Sequence, residues 1–451
     1  MKYNNLEKWV VEQWQESNFG DKRRNRRAIK LGTSLLNKPN ASLPAQTEKW
    51  SILKASYRIL NSPSINHKNV QEIHWKKTIN KTSNNQVTLF LQDTSELDYS
   101  SKKKVSGLGP IGNHRGKGIM LHSCLAIEYA AANINVLGLA HQQIWCRDNM
   151  SHRKSESRKQ RLSRKNEGDL WENSLEEIST FANQVKDNWI SVGDRGNDIF
   201  SFIRFCKNSS WHYVIRAKHN RIIICKDGKK SKLIDYARKF ESEAIKKIKL
   251  QSKEEVNLDV GWGKIKISTP RNYFKITEYE EIDACCIRCW NDEAKLEWIL
   301  LTNVTVNNVY DALEKIDWYK ARWLIEEYHK CLKTGCQVEK RNLQTAGALQ
   351  VLLGFFGILA TKLLEIKFIA KKSPKEFAKL LIEPLILKVI CLRFHIPENS
   401  ITVKQFWHCI AQMGGFIGRK SDGDPGWQTT WKGWLRVLDM VNAIKSIAKC
   451  G

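Results

Sequence analysis

Two periods of hydrophobic and polar positions run along this chain, and the switches between them divide it. Over residues 1–66 the period is helical. In FGDKRRNRRAIKLGTSLLNKP (19–39) a cap-type Asp21 precedes a run of Arg and Lys, then Ile29, Leu31, Leu35 and Leu36, and Pro39 closes the segment. In EKWSILKASYRILNSPSI the apolar Ile52, Leu53, Tyr57, Ile59 and Leu60 return at helical spacing, with Pro63 as the stop. From residue 86 the period falls to two. QVTLFLQDTS (86–95) places Val87, Leu89, Leu91 and Asp93 on one face of a strand that ends near Asp93. GIMLHSCLAIE (118–128) and NINVLGLAHQQIW (133–145) predict two more strands, and LWENSLEEISTFANQV (170–185) an amphipathic helix. NWISVGDRGNDIF (188–200) reads as a buried strand ending at Asp194. The basic, polar SHRKSESRKQRLSRKN (151–166) reads as an exposed loop or helix start. Residues 204–302 favour short strands again, and helices resume near 308 and continue to the end. The pattern predicts an α/β protein: helical head, strands with a helix, β-rich insertion, helices.

Composition narrows the classes. At 451 residues the chain is long enough for two or three domains, and 42% apolar with 27% charged residues is a soluble, globular balance. The formal net charge of +27 calls for a polyanion, and nucleic acid is the usual one. An anionic membrane surface would want a basic amphipathic helix or an anchor, and neither is visible. The N-terminal MKYNNLEKWVVEQW carries no hydrophobic signal core, and the longest apolar run, VLLGFFGILAT (351–361), predicts a buried helix rather than a span. Twelve Cys are scattered, and Cys286 with Cys289 forms an isolated CxxC lacking a second ligand pair. Free thiols in a reducing, cytoplasmic compartment are expected.

Candidate chemistry gathers in YKARWLIEEYHKCLKTG (319–335). At about 100° per residue, Tyr319, Arg322, Glu326 and Lys333 fall within an arc of roughly 60° with Lys330 beside them, and Leu324, Ile325, Tyr328, Cys331 and Leu332 lie opposite. An ordinary charged helix would have i,i+4 pairs of this kind. The narrow arc, the Tyr within it and the two preceding strand-end carboxylates argue for a site. Asp93 and Asp194 would be costly at buried strand ends unless something neutralised them. With Glu326 they form a hard, all-oxygen set suited to Mg²⁺, and two ions about 4 Å apart promote phosphodiester cleavage. Arg322, Lys330 and Lys333 can hold the flanking phosphates and Tyr319 can donate to one. Glu96 and Asp98 compete for the first position and Asp198 for the second.

These segments together resemble the insertion-sequence-four family of bacterial cut-and-paste transposases. YKARWLIEEYHKCLKTG carries that family's Tyr-x2-Arg-x3-Glu-x6-Lys signature; LQDTSELDY and VGDRGNDI resemble its first and second Asp segments. VIRAKHNR and EWILLTN resemble its β-rich insertion, FGDKRRNRR and KASYRIL its DNA-binding head, and MGGFIGRKSDGDPGWQTTWKGW its C-terminal region. The resemblance implies an RNase H-like catalytic core over 67–370 with a β-rich insertion at about 204–302. It further implies a helical DNA-binding domain over 1–66 and a helical C-terminal dimerisation domain over 371–451. It implies the catalytic and metal-holding set Asp93, Asp194 and Glu326, with two Mg²⁺ ions for which Mn²⁺ can substitute. The implied partners are double-stranded DNA, as element ends and target, and a second copy of the chain. Trp298 matches an aromatic that receives a displaced base; Arg216, Lys218 and Arg221 match a segment near the DNA hairpin. Arg23, Arg24 and Arg27 match residues on terminal DNA. The chain departs from the family at NEGDLWENS, where Gly168 and Leu170 replace an expected Ser and Lys. A nuclease that never joins DNA and an inactive DNA-binding relative are the rival readings.

Overall fold

The computed structural model describes residues 6–447 apart from 48, 113–114, 131–132, 149–166, 250–254, 272, 274–278, 420–421 and 424, so the basic 151–166 segment lies outside the described residues. Five helices open the chain: α1 (Leu6–Trp14), α2 (Lys22–Asn37), α3 (Leu43–Thr47), α4 (Trp50–Leu60) and α5 (His67–Asn80). Asp21 caps α2 by accepting the Arg23 N–H at 2.7 Å, and α2 buries Ala28, Leu31, Leu35 and Leu36 while Arg23 and Arg27 stay exposed. The head does not stand apart. The Trp14 ring meets Phe355 at 4.9 Å between centroids, and its indole N–H donates to the Val70 carbonyl. Arg341 donates to the carbonyls of Pro39 and Ala41.

The middle of the chain builds one sheet. Its core strands are β1 (Val87–Asp98), β2 (Gly109–Ile111), β3 (Gly116–Ala130), β4 (Asn133–Trp145), β5 (Trp189–Gly193) and β6 (His212–Arg216). β4 pairs antiparallel with β3, β3 antiparallel with β1, β1 parallel with β5, and β5 parallel with β6. Order 4-3-1-5-6 with that mix of directions is the RNase H-like arrangement. Helices α6 (Leu170–Ser179) and α7 (Phe200–Asn208) cover one face. The insertion contributes β7 (Ile222–Cys225), β8 (Lys230–Lys232), α8 (Leu233–Ala237), β9 (Ala244–Lys249), β10 (Glu255–Ser268), β11 (Glu281–Asn291) and β12 (Leu296–Thr302). It extends the same sheet, because β12 pairs antiparallel with β6. The insertion therefore starts after β6. Residues 204–216, read from sequence as its beginning, are the end of α7 and the core strand β6.

Strand parity divides the core in two. Leu89, Leu91, Ile190, Val192, Val214 and Leu300 enter one hydrophobic cluster, and Phe90, Trp189, Tyr213, Ile215 and Leu301 the other. The first cluster is shared with α9 (Val309–Ala321), α10 (Trp323–Lys330), α11 (Ala346–Lys372), α12 (Pro384–Phe394), α13 (Val403–Met413) and α14 (Trp427–Ile447). α11 contains the run foreseen as a buried helix; it is long and apolar enough to cross a membrane, yet that stretch is packed inside the protein. Cys286 and Cys289 are buried free thiols of β11.

Two expectations need correction. Asp93 does not end its strand: β1 continues to Asp98 because β3 pairs with it along its whole length, and only the parallel partner β5 stops, at Leu91. Nor is 319–335 one regular helix. The Arg322 N–H bonds back three residues to Tyr319, which tightens the turn between α9 and α10, and residues Cys331–Gly335 then loosen into a π-turn. The simple arc is therefore broken.

Candidate active site

Parity assembles the site. Asp93 continues the Leu89–Leu91 face of β1, Asp194 the Ile190–Val192 face of β5, Arg216 the Val214 face of β6, and Trp298 the Leu300 face of β12. α9 and α10 lie on that same face, so Tyr319, Arg322 and Glu326 come down on it.

Arg322, at the tightened turn, is the hub. Its guanidinium pairs with Glu326 and lies 3.8 Å from Asp93 Oδ2. Asp93 has its pKa pushed up to about 6, chiefly by burial, with Asp194 and Glu326 pushing the same way and Arg322 and the Thr94 N–H opposing. The three acids are thus electrostatic neighbours. Asp194 caps the 3-10 turn Arg195–Asn197 by accepting the Gly196 N–H at 2.8 Å. The turn folds back closely enough that a Cβ on Gly193 would lie 2.5 Å from the Asn197 side chain.

Aromatic and cationic groups line the other side. The Trp298 and Tyr319 rings meet edge to face at 5.4 Å. Arg216 donates to the Glu297 carbonyl at 2.9 Å and acts electrostatically on the Tyr319 hydroxyl. Burial raises the Tyr319 pKa, so the phenol stays protonated and able to donate. Lys333, in the π-turn, acts electrostatically on Asp98 and His329. Lys330 is drawn to Glu327, 3.0 Å away, and not to Glu326.

Other sequence-chosen residues are placed differently. Arg221 is almost wholly buried and pairs with Asp198, whose carboxylate is fully buried and also accepts the N–H groups of Lys218 and His219 at 2.7 and 2.8 Å. Asp198 is consumed by this clamp, which bolts the 217–221 loop to the loop of Asp194. Lys218 remains exposed. Glu96 pairs with Arg147, and Asp98 with Ser100. In the head, Arg24 donates to the Phe19 carbonyl and the Ser64 hydroxyl, unlike the exposed Arg23 and Arg27.

Sequence reasoning missed a buried polar layer beneath Asp93. His329 Nδ1 lies 4.0 Å from Asp93 Oδ2, and its pKa is pushed down to about 3, first by burial and then by Lys333, His122 and Arg322. His122 bonds Thr94 and Gln92, on either side of Asp93. The signal was present as the polar HS and HQQ inside two apolar strands.

The donor set fits a divalent cation with oxygen ligands, since the acids are three carboxylates whose mutual repulsion already shows at Asp93. Among the described residues no three His, Cys, Asp or Glu side chains are grouped tightly enough to hold an ion as they stand. Arg322 supplies the compensating charge.

Two families match. Residues 6–65 match the transposase DNA-binding family, and residues 164–359 match the transposase DDE domain family. The chain carries both domains of a DDE transposase. Asp194 and Glu326 fall inside the DDE match, and Asp93 precedes it. Among solved structures the chain is similar to one described as a piggyBac transposase synaptic complex with hairpin DNA. That likeness is at 8% identity and a TM-score of 0.36, over 98% of this chain and 83% of that one, too loose to carry chemistry across. The DDE domain makes the chain a DNA-processing enzyme of a class that works with divalent metal ions, and the first domain makes DNA its partner.

Proposed function

We propose that this DDE transposase excises a DNA element by cut-and-paste chemistry and belongs to the insertion-sequence-four family. What supports the reading is that Asp93 feels the charges of Asp194 and Glu326 over one sheet face, with Arg322 pairing to Glu326 and the Trp298 and Tyr319 rings packed together beside them. Asp93, Asp194 and Glu326 would hold a pair of Mg²⁺ ions, or Mn²⁺ in their place. When bound, such ions activate an oxygen nucleophile and stabilise the departing oxygen.

The chain's own groups do the rest. Arg322 and Lys333 hold phosphates beside the scissile bond, with Lys330 further along the strand, and Tyr319 donates to a phosphate oxygen. Hairpin closure bends one strand sharply, and a base displaced from the stack is received on Trp298, whose ring Tyr319 supports. Arg216 and Lys218 hold the bent backbone, and Arg221 keeps their loop in place through Asp198. Arg23 and Arg27 grip the phosphates of the element end, with Arg24 bracing their helix.

In this reading water opens one strand, and the freed 3′-OH displaces the opposite strand to close a hairpin. A second water reopens the hairpin, and the 3′-OH then joins target DNA. Each step exchanges one P–O bond for another. Residues 1–66 bind the inverted ends, 67–370 catalyse, and 371–451 join two copies in a synapse on the bacterial nucleoid. The test is incubation with DNA bearing the element's ends, with and without Mg²⁺. Nicked, hairpin and joined products are expected in succession. Nicks alone would make the protein a nuclease, and bound but uncut ends a repressor.

A further inference from the structure

The strongest unassigned feature is the buried polar layer beneath Asp93. It runs from α5 and α11, through β4 and β3, to the helix that carries Glu326. Its members His67, Gln71, Ser123, Gln142, Tyr328 and His329 are all buried. Buried donors and acceptors are satisfied wherever possible, so their hydrogen bonds can be read in order.

The Tyr328 hydroxyl donates to the Gly357 carbonyl at 3.1 Å, which leaves its oxygen to accept from Gln142 Nε2 at 2.9 Å. Gln142 Oε1 accepts from Gln71 Nε2 at 2.9 Å and meets His67 Nε2 at 3.0 Å, and this fixes which way the Gln142 amide points. The second N–H of Gln142 donates to Ser123 Oγ at 3.0 Å. Ser123 therefore keeps its own proton to give, and His329 Nε2 stands 3.1 Å away to take it. A ring nitrogen that accepts carries no proton, so the imidazole proton sits on the other nitrogen. That nitrogen, Nδ1, is 4.0 Å from Asp93 Oδ2.

We infer that His329 is a positioning residue whose Nδ1–H is aimed at the Asp93 carboxylate by the Gln71–Gln142–Ser123 chain. The inference deepens the reading of Asp93 as a metal-holding acid and rests on it for its purpose. At 4.0 Å the contact is longer than a hydrogen bond, as such contacts often are before substrate and cofactor are in place. Its effect is to steady Oδ2 of Asp93, while Oδ1 accepts the Thr94 N–H at 2.9 Å, so that the carboxylate is held in one orientation, as hydrogen-bond partners behind ligands do in metal sites. The chain is built at close quarters. A Cβ at Gly357 would come within 2.4 Å of Gln71 Nε2 and 2.8 Å of Gln142 Oε1, so a side chain at this position of the buried α11 would push both amides out of the chain. On the neighbouring side His122 is set the opposite way. Gln92 donates to Ser191, so its oxygen accepts from His122 Nε2–H, and His122 Nδ1 accepts from Thr94.

The direct test is the tautomer in the full-length, metal-free protein labelled with ¹⁵N-histidine. The His329 signals, identified by their loss in His329→Asn, are expected to show a protonated Nδ1 and a bare Nε2. The reverse assignment would overturn the inference. The functional test compares His329→Asn, which keeps a nitrogen near the Nδ1 position, with His329→Gln, which reaches towards Ser123 instead. Mn²⁺ binding followed by electron paramagnetic resonance should be weaker in His329→Gln than in His329→Asn by about tenfold. Melting temperature and end binding should be alike in the two. Equal Mn²⁺ affinity in both variants would also overturn it. Because the tautomer is read without DNA, a protein that cuts nothing yet shows Nδ1–H would defeat the transposition reading and leave this inference standing.

Discussion

Asp194 and Asp198 lie in one short loop and meet opposite fates. Asp198 is wholly buried and takes up Arg221 and two backbone N–H groups, so its charge is matched on every side. Asp194 caps one turn through a single N–H and otherwise acts electrostatically on Asp93 and Tyr319, with no cation paired to it among the described residues. A buried acid with complete local pairing is part of the construction. An acid whose neighbours repel it is held for something that arrives later.

The sharpest way to break this contrast is substitution. Asp194→Asn, and Glu326→Gln with it, should abolish DNA cleavage while end binding and melting temperature stay nearly unchanged. A large loss of stability in either would place them with Asp198. Asp198→Asn should instead cost about 3–5 kcal/mol of folding stability, because it strands a buried guanidinium. Adding Arg221→Met should recover part of that in a denaturant melt.

Asp93 stands between the two cases and gives a pH test. Its pKa is about 6 in the folded protein against an ordinary 3.8, so the folded chain binds more protons than the unfolded chain between those values. Ionised Asp93 therefore costs stability, and the cost is fully present above pH 6 and absent below the ordinary value. Asp93→Asn should raise stability by about 3 kcal/mol at pH 7.5, and thermal melts should show the gain fading as pH falls through that window. A gain independent of pH would mean that the carboxylate's charge is not what burial penalises. Trp298→Ala should slow hairpin closure more than the first nick in single-turnover assays; equal slowing would argue against a base-receiving role. Lys330→Ala should have the smallest effect, since its ammonium is exposed and paired with Glu327.

Much of the fold was legible because burial imposes periods on sequence. The alternation in QVTLFLQDTS placed Asp93 on the face of Leu89 and Leu91, and the same alternation governs Asp194. The helix periods of the head and Asp21 as its cap were equally readable. The break at Arg322 and the π-turn after Lys330 were not, because both are small changes of hydrogen-bond register that leave composition untouched. The fate of Asp198 and Arg221 was also hidden, since a charged pair twenty-odd residues apart reads the same whether it faces solvent or the interior.

The sequence by itself determined that this is a basic α/β protein with three candidate acids, each on a face fixed by the pattern around it. Its family domains follow from the same string of residues. Only the tertiary structure decided which acids meet, which are neutralised, and that a histidine and a serine stand behind Asp93. The reason is physical. Periodicity records which side of a strand or helix is dry, and it is local. Charge pairing and hydrogen-bond direction depend on distances between elements remote in sequence, and those exist only once the chain has packed.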